Sequence, residues 1–340
     1  MPYTTFSHGG LFGFIDQPLT LLSFFKWFEI LSVAGLVGFF GFWLLVLRPT
    51  LRPLPDYAMQ SPLRIKVRRL FALWWGAFLL LVFLSANASS AFQTIRMSGG
   101  SVETAMASWK IVLLQTPVGW GWMLKMAAIV LLLVLWVFRR TPGRVWLALA
   151  VGLFLCYSVS SGGHALDQGY VSWLFVTDGF HIFAASLWVG GLVMLFLFGL
   201  PILKLVKDND ACALLTGWLE RFAGVAAPAV LVLIVTGMYS AWTRIPNVES
   251  LSATPYGGTM VFKVALVGLT VGIGGLSRFY ILPNLRKLRL KMSDEVVASG
   301  RLRQRFWAFI GVEAAIAILI VIVAAAVLTQ LPPPYWFVAQ

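Results

Sequence analysis

Residues 178–203 read DGFHIFAASLWVGGLVMLFLFGLPIL, and this stretch indicates the class of the protein. Beyond Asp178 and His181 it contains no ionisable side chain. About 20 apolar residues are enough for one helix to cross the hydrocarbon core of a bilayer. The run is continuous rather than alternating, which favours a helix over a strand of a membrane barrel. The stretch therefore predicts a transmembrane helix.

Seven further stretches have the same character. The chain of 340 residues is 59% apolar and 11% charged, whereas roughly a quarter of the residues in a soluble domain are charged. We therefore predict an all-α fold, a polytopic membrane helix bundle with eight transmembrane helices in a single integral membrane domain, 1–340. The predicted spans are approximately 19–47, 69–95, 118–138, 144–161, 178–203, 219–242, 258–281 and 306–329.

The basic residues are distributed unevenly between the two sides of the predicted bundle. Of the 26 lysines and arginines, 20 belong to the connections that follow the first, third, fifth and seventh spans. Cytoplasmic loops carry such an excess, so we expect a multi-pass protein of the bacterial inner membrane with both termini in the periplasm. The net charge of +13 is then explained by orientation and by contact with anionic lipid of the bilayer. We predict no nucleic-acid partner.

The chain also shows a weak internal repeat. Residues 116–127 and 254–265 both read T-P-x-G-x5-K-x-A, and residues 28–30 align with residues 180–182. We predict a parallel 4+4 repeat, with halves at 19–161 and 178–329. Glu29 would then be the counterpart of His181. The similarity is also compatible with two helix starts that resemble each other because both lie at a membrane interface.

The three histidines, His8, His164 and His181, all fall on the predicted outer face. Imidazole is a ligand that suits copper, zinc and iron. Asp178 precedes His181 by three residues and therefore lies on the same helix face. Its carboxylate can accept the proton of one imidazole nitrogen and leave the other nitrogen for a metal. It can equally cap the start of the helix.

Other candidate residues lie at the same level or within the predicted spans. Methionine thioethers suit Cu(I), although methionine also fills gaps in apolar cores. The methionines at the outer level are Met97, Met106, Met123, Met238 and Met260, of which Met238 and Met260 are the candidate ligands. Glu29, an acidic residue in a membrane span, is a candidate relay toward the midplane, or the partner of Lys26 in a local ion pair. Glu313 faces a cytoplasmic exit path or pairs with a neighbouring arginine.

The second half of the chain resembles the copper resistance D (CopD/PcoD) family of bacterial inner-membrane proteins, and the first half resembles it only loosely. The matching stretches are Gly163-His164-Ala165, the Asp178-x-x-His181 motif through Trp188 to Gly191, Arg221-Phe222-Ala223 with Thr236-Gly237, Thr254 to Gly257 with Lys263, and Glu313 leading to Pro332-Pro333. The resemblance implies copper handling, usually import from the periplasm to the cytoplasm. It also implies a small periplasmic copper-binding protein as a partner.

We therefore predict copper uptake, with the copper ion captured at the periplasmic face by His164 and His181. Asp178 would orient His181, and His8 would be an accessory ligand. No phosphate-binding loop, zinc-protease motif or nucleophile elbow is found, so we expect no enzymatic activity. Two alternatives stay open: a b-type haem with His164 and His181 as axial ligands of an electron-transfer protein, and a membrane assembly factor without bound metal.

Overall fold

The computed structural model of the protein describes residues 21–51, 61–99, 101–138, 143–161, 172–203, 208–245, 247–283, 307–308 and 310–324. Within these ranges all the regular secondary structure is helical and no strand occurs. This follows from the bilayer, because a helix satisfies the backbone hydrogen bonds of an apolar segment internally.

The described residues of the first half form six α-helices. They are α1 (Leu21–Gly41), which continues through the π-helical segment Phe42–Leu47 into α2 (Arg48–Leu51), then α3 (Ser61–Met97), α4 (Val102–Gln115), α5 (Pro117–Val137) and α6 (Arg144–Ser160).

The second half repeats this sequence of long helices. Its elements are α7 (Trp173–Ala185), which continues through the π-helical segment Ser186–Gly190 into α8 (Gly191–Leu203), then α9 (Asp208–Arg244), α10 (Glu249–Ala253), α11 (Pro255–Leu276) with the π-helical segment Ser277–Ile281, and α12 (Ile310–Ala324).

Six helical stretches in the described ranges are long and apolar enough to cross a membrane. They are Phe24–Leu51, Ile65–Ile95, Pro117–Val137, Trp173–Leu203, Ala213–Arg244 and Pro255–Tyr280. The other two predicted spans correspond to shorter apolar helices, Arg144–Ser160 and Ile310–Ala324. The prediction of an all-helical membrane bundle is therefore confirmed. Eight crossings, the 4+4 repeat and the periplasmic termini stay predictions.

The helices α5 and α11 begin in the same way. The hydroxyl of Thr116 accepts a hydrogen bond from the backbone N–H of Gly119 at 3.3 Å, and Thr254 does the same for Gly257 at 3.0 Å. Each threonine is followed by a proline, which needs no backbone donor in the first turn of a helix. Both starts are preceded by an extra helix, α4 or α10, in a stretch that the sequence assigns to a connection.

The two halves meet where α1 crosses the π-helical segment before α8. A Cβ atom on Gly38 would overlap the backbone of Gly190 and Gly191, and one on Gly190 would overlap the carbonyl of Ala34. The crossing therefore brings backbone against backbone, as in other small-residue crossings of membrane helices. Gly38 and Gly190 occupy equivalent positions in the alignment of residues 28–30 with residues 180–182.

Candidate functional site

The imidazole of His181 is held by a threonine of a neighbouring helix. Its Nδ1 lies 2.8 Å from the Oγ1 of Thr236 on α9, and that Oγ1 lies 2.6 Å from the carbonyl oxygen of Val232. A threonine hydroxyl has one proton to donate. Because Thr236 donates it to Val232, its oxygen accepts from the Nδ1–H of His181. This tautomer leaves a lone pair on Nε2, which is the nitrogen able to bind a metal ion.

Asp178 has a different partner from the one predicted. The hydroxyl of Ser160, at the end of α6, donates to the carboxylate of Asp178 at 2.7 Å, and both side chains are buried. The reason is the close packing of α6 against α7, where a Cβ on Gly179 would overlap the ring of Tyr157. Ser160 therefore meets Asp178, while Thr236 takes the orienting place on His181 that the sequence predicts for Asp178.

Two cationic side chains lie near His181. Lys263 on α11 is half-buried and interacts electrostatically with both His181 and Asp178. Arg244, in the last turn of α9, is 4% exposed and interacts with the hydroxyl of Tyr256. The Nε and Nη2 atoms of Arg244 have no hydrogen-bond partner among the described residues. The negative charge of Asp178 thus offsets the positive charge of Lys263 beside the imidazole.

His181 is not part of a complete metal site in the part of the chain that the structure describes. Across the described ranges, no three histidine, cysteine, aspartate or glutamate side chains form a group that could hold a metal ion. His8 and His164, the other two predicted ligands, lie outside the described residues. In the sequence, His164 lies three residues after Ser161, the last described residue at this end of α6.

Glu29 lies between two lysines. One carboxylate oxygen is 3.2 Å from the Nζ of Lys26, and the other is bonded to the Nζ of Lys125 on α5. Glu29 is fully buried, and both lysines are nearly so. The predicted local ion pair with Lys26 is confirmed, and Lys125 is added to it. In the repeat alignment Lys125 corresponds to Lys263, and Lys26 corresponds to Asp178. The role of Glu29 as a relay for copper stays a prediction.

The predicted methionine ligands are not gathered around His181. Met238 is 68% exposed, although it lies only two residues after Thr236 on α9. Met260 is half-buried and packs against Tyr256. It therefore borders the polar cluster, which consists of Asp178, His181, Thr236, Arg244, Tyr256 and Lys263. Met97 and Met106 are exposed, and Met123 is half-buried. Of the five, only Met260 has a described contact with a member of that cluster.

Three residues of the site escaped the sequence interpretation as site residues. Thr236, Arg244 and Ser160 lie on helices other than α7 and reach the site only through helix packing. Thr236 belongs to a matching motif, and the signal that assigns it to the site is a hydroxyl on an apolar helix face. Arg244 differs from the loop arginines by its position in the last turn of a span.

Two family models match the chain. The model described as "Copper resistance protein D-like, N-terminal domain" matches residues 16–173, and the model described as "Copper resistance protein D" matches residues 216–327. Glu29 and Lys125 fall in the first match, and Thr236 and Lys263 in the second. Asp178 and His181 lie between the two matched stretches.

Curated relatives have related names. A "Copper resistance protein D" from Pseudomonas syringae pv. tomato is 28% identical over 214 residues, which are 61% of this chain and 68% of that protein. A "Copper transport protein CutJ" from Bacillus subtilis (strain 168) is 27% identical over 185 residues, which are 54% of this chain and 29% of that protein. The match thus spans less than a third of the second relative. No solved structure matches the chain significantly.

Proposed function

Because this chain belongs to the copper resistance protein D family, we propose that it takes up copper ions across the bacterial inner membrane through a periplasmic site built around His181. The names of the two relatives connect the family to copper and to the membrane. The direction of transport and the capture by histidine go beyond those names and are part of the proposal.

The observation that carries the proposal is the fixed tautomer of His181. The Nδ1–H of His181 donates a hydrogen bond to the Oγ1 of Thr236, so Nε2 carries a lone pair that can bind a copper ion without losing a proton first. A ligand whose ring is already oriented by a hydrogen bond binds metal more tightly than a free one. The carboxylate of Asp178 offsets part of the positive charge that Lys263 and Arg244 bring to this place.

Further ligands are needed, because a single imidazole does not hold a copper ion against water. We assign His164 as the second ligand, since it follows the end of α6 by a few residues, and His8 as an accessory ligand. Met260, which packs against Tyr256, is the candidate thioether. Imidazole and thioether together suit copper better than zinc or a hard cation.

The uneven distribution of basic residues supports a periplasmic position for this site. The basic connections lie at the ends of the spans opposite His181, and such connections stay in the cytoplasm. Copper would arrive from the periplasm, delivered by a small periplasmic copper-binding protein. The other partner of the bundle is the lipid bilayer that surrounds it. The arginines of the basic connections would contact anionic lipid.

The test compares two substitutions on α7. His181→Ala should reduce the copper accumulation of cells to the level without the protein, because the oriented imidazole is lost. Thr177→Ala is the matched control, since the Thr177 hydroxyl bonds only to carbonyls of its own helix. Copper accumulation and protein abundance in the membrane are measured together.

Unchanged copper accumulation by an abundant His181→Ala protein would overturn the proposal. The purified wild-type protein should also contain copper by elemental analysis and show no Soret band. A strong Soret band that disappears in His181→Ala would instead indicate a haem ligand.

A further inference from the structure

A cavity of about 310 Å³ lies among α8, α9, α11 and α12. Most of its lining is apolar, with large contributions from Trp188, Phe222 and Ile310. The polar groups that interrupt this lining are the carboxyl of Glu313 on α12, the guanidinium of Arg278, and the hydroxyls of Thr270 and Ser277. The site at His181 uses none of them.

Glu313 is buried against a bare stretch of helix. The residue is 6% exposed, and its Oε1 would lie 3.1 Å from a Cβ atom on Gly274. The absence of a side chain at Gly274 is thus what gives the carboxyl its place beside α11. Ser277, 8% exposed, has a hydroxyl without a hydrogen-bond partner among the described residues. Buried polar groups of α11 and α12 therefore share one cavity.

No cation neutralises Glu313 within the described part of the chain. Arg278 of α11 is the other charged residue that lines the cavity, and no ion pair joins it to Glu313 there. The lining residues of α8 and α9 carry no charge. An ionised carboxylate in apolar surroundings costs several kcal/mol unless a cation pairs with it, and the neutral acid avoids this cost. Glu29 shows the opposite arrangement, with a lysine on each carboxylate oxygen.

We propose that Glu313 is a proton-exchange site within the membrane, a carboxylic acid that holds a proton in this cavity and releases it when a cation or water reaches the carboxyl. The site requires no metal ligand and no cofactor. The hydroxyl of Ser277, which has no hydrogen-bond partner among the described residues, is a lining group that can exchange a hydrogen bond with the carboxyl or with a water molecule beside it.

The cavity lies on the same helices as His181 but farther along them. Trp188 follows His181 by about two turns, and on α11 the step from Lys263 to Gly274 is about 16 Å of helix. The next step rests on the proposed function, in which a Cu⁺ ion leaves His181 and moves toward the cytoplasm. Glu313 is then a carboxylate that this ion meets. Loss of one proton for each Cu⁺ bound keeps the net charge of the cavity unchanged.

The experiment uses dicyclohexylcarbodiimide on the purified full-length protein without copper. A protonated carboxyl in an apolar site adds across one C=N bond: its proton goes to nitrogen and its oxygen bonds to the central carbon. The adduct then rearranges to a stable N-acylurea, with no leaving group. Mass spectrometry should map the adduct to Glu313, and the yield should fall as the pH rises. Glu313→Gln should lose the adduct, whereas Glu103→Gln, which alters an exposed carboxyl, should keep it.

An unmodified Glu313 in the folded wild-type protein would overturn the proposal, as would an adduct on Glu313 whose yield does not change with pH. The wild-type map decides this even where Glu313→Gln does not fold. The labelling is independent of copper, so a negative result leaves the His181→Ala test intact. Conversely, labelled Glu313 in a protein that does not accumulate copper would keep the proton site and remove the proposed cargo.

Discussion

At the scale of single residues, the orientation of His181 depends on one hydroxyl. Thr236 both donates to the Val232 carbonyl and accepts from the imidazole, so the proton of the ring is fixed on Nδ1. A valine at this position has nearly the same shape and no hydroxyl. The ring could then rotate and adopt either tautomer, and the lone pair of Nε2 would no longer be directed.

We predict that Thr236→Val weakens copper binding to the purified protein by about 10- to 100-fold, the usual effect of removing a group that orients a metal ligand. Isothermal titration or competition with a copper chelator measures this. Thr243→Val is the matched control, two turns after Thr236 on the same helix. Among the described residues, the Thr243 hydroxyl bonds to carbonyls of its own helix. Equal affinities of the two variants would show that Thr236 does not orient a ligand.

The charges around Glu29 permit a second prediction at this scale. Glu29→Gln leaves Lys26 and Lys125 buried without a counter-ion, and breaking such a pair costs about 3–5 kcal/mol. The thermal unfolding midpoint in detergent should fall accordingly. Glu249→Gln, at an exposed glutamate in the first turn of α10, should change stability by less than about 1 kcal/mol. A stable Glu29→Gln protein would mean that the two lysines have other partners or lose their protons.

The sequence predicts some residues of the candidate site and not their hydrogen-bond partners. His181 and Asp178 stand out because they are three apart at the start of an apolar run. The Thr236–His181 hydrogen bond joins residues 55 positions apart, and its existence depends on how α9 packs against α7. The hydrogen bond from Ser160 to Asp178, which gives Asp178 a partner other than His181, depends on helix packing in the same way. A contact between helices is decided by packing, which a single sequence does not display.

At the scale of elements, the hydrophobic pattern predicts long helices well and their irregularities poorly. All six long spans correspond to predicted apolar runs. The π-helical segments inside the first and fifth spans cannot be predicted from the hydrophobic pattern, because their residues are as apolar as those of the flanking α-helix. The helix α4 was missed because its 14 residues are too few to span a bilayer and mix polar with apolar side chains. Its exposed Trp109, Ile111 and Leu114 suit a helix that lies at the membrane interface.

The crossing of α1 with the segment before α8 gives a prediction at this scale. Gly38→Ala should destabilise the bundle by about 1–3 kcal/mol or more, because the new methyl group meets the backbone of Gly190, which cannot move aside as a side chain can. Gly268→Ala is the control: nothing lies within 4 Å of its added Cβ, and alanine favours a helix by up to about 1 kcal/mol. Thermal unfolding in detergent measures both, and equal midpoints would contradict the close crossing.

At the scale of the whole molecule, orientation in the membrane depends on the loops rather than on the helices. The 20 basic residues of the odd connections predict that both termini lie in the periplasm. Alkaline phosphatase needs its disulfides and is therefore active only outside the cytoplasm. A fusion at Gln340 should be active, and a fusion of the chain truncated after Arg140 should be inactive. The reverse pattern would place His181 on the cytoplasmic side.

The two halves of the bundle also differ in what their matching positions hold. On the repeat alignment, Glu29 stands where the second half has His181, and it is occupied by the ammonium groups of Lys26 and Lys125. A lysine ammonium is a monovalent cation fixed to the chain by a covalent tether. On that alignment, the carboxylate of the first half is already paired with two cations of the chain, and the pair with Lys125 joins α1 to α5. The imidazole at the matching position of the second half is hydrogen-bonded to an uncharged hydroxyl instead.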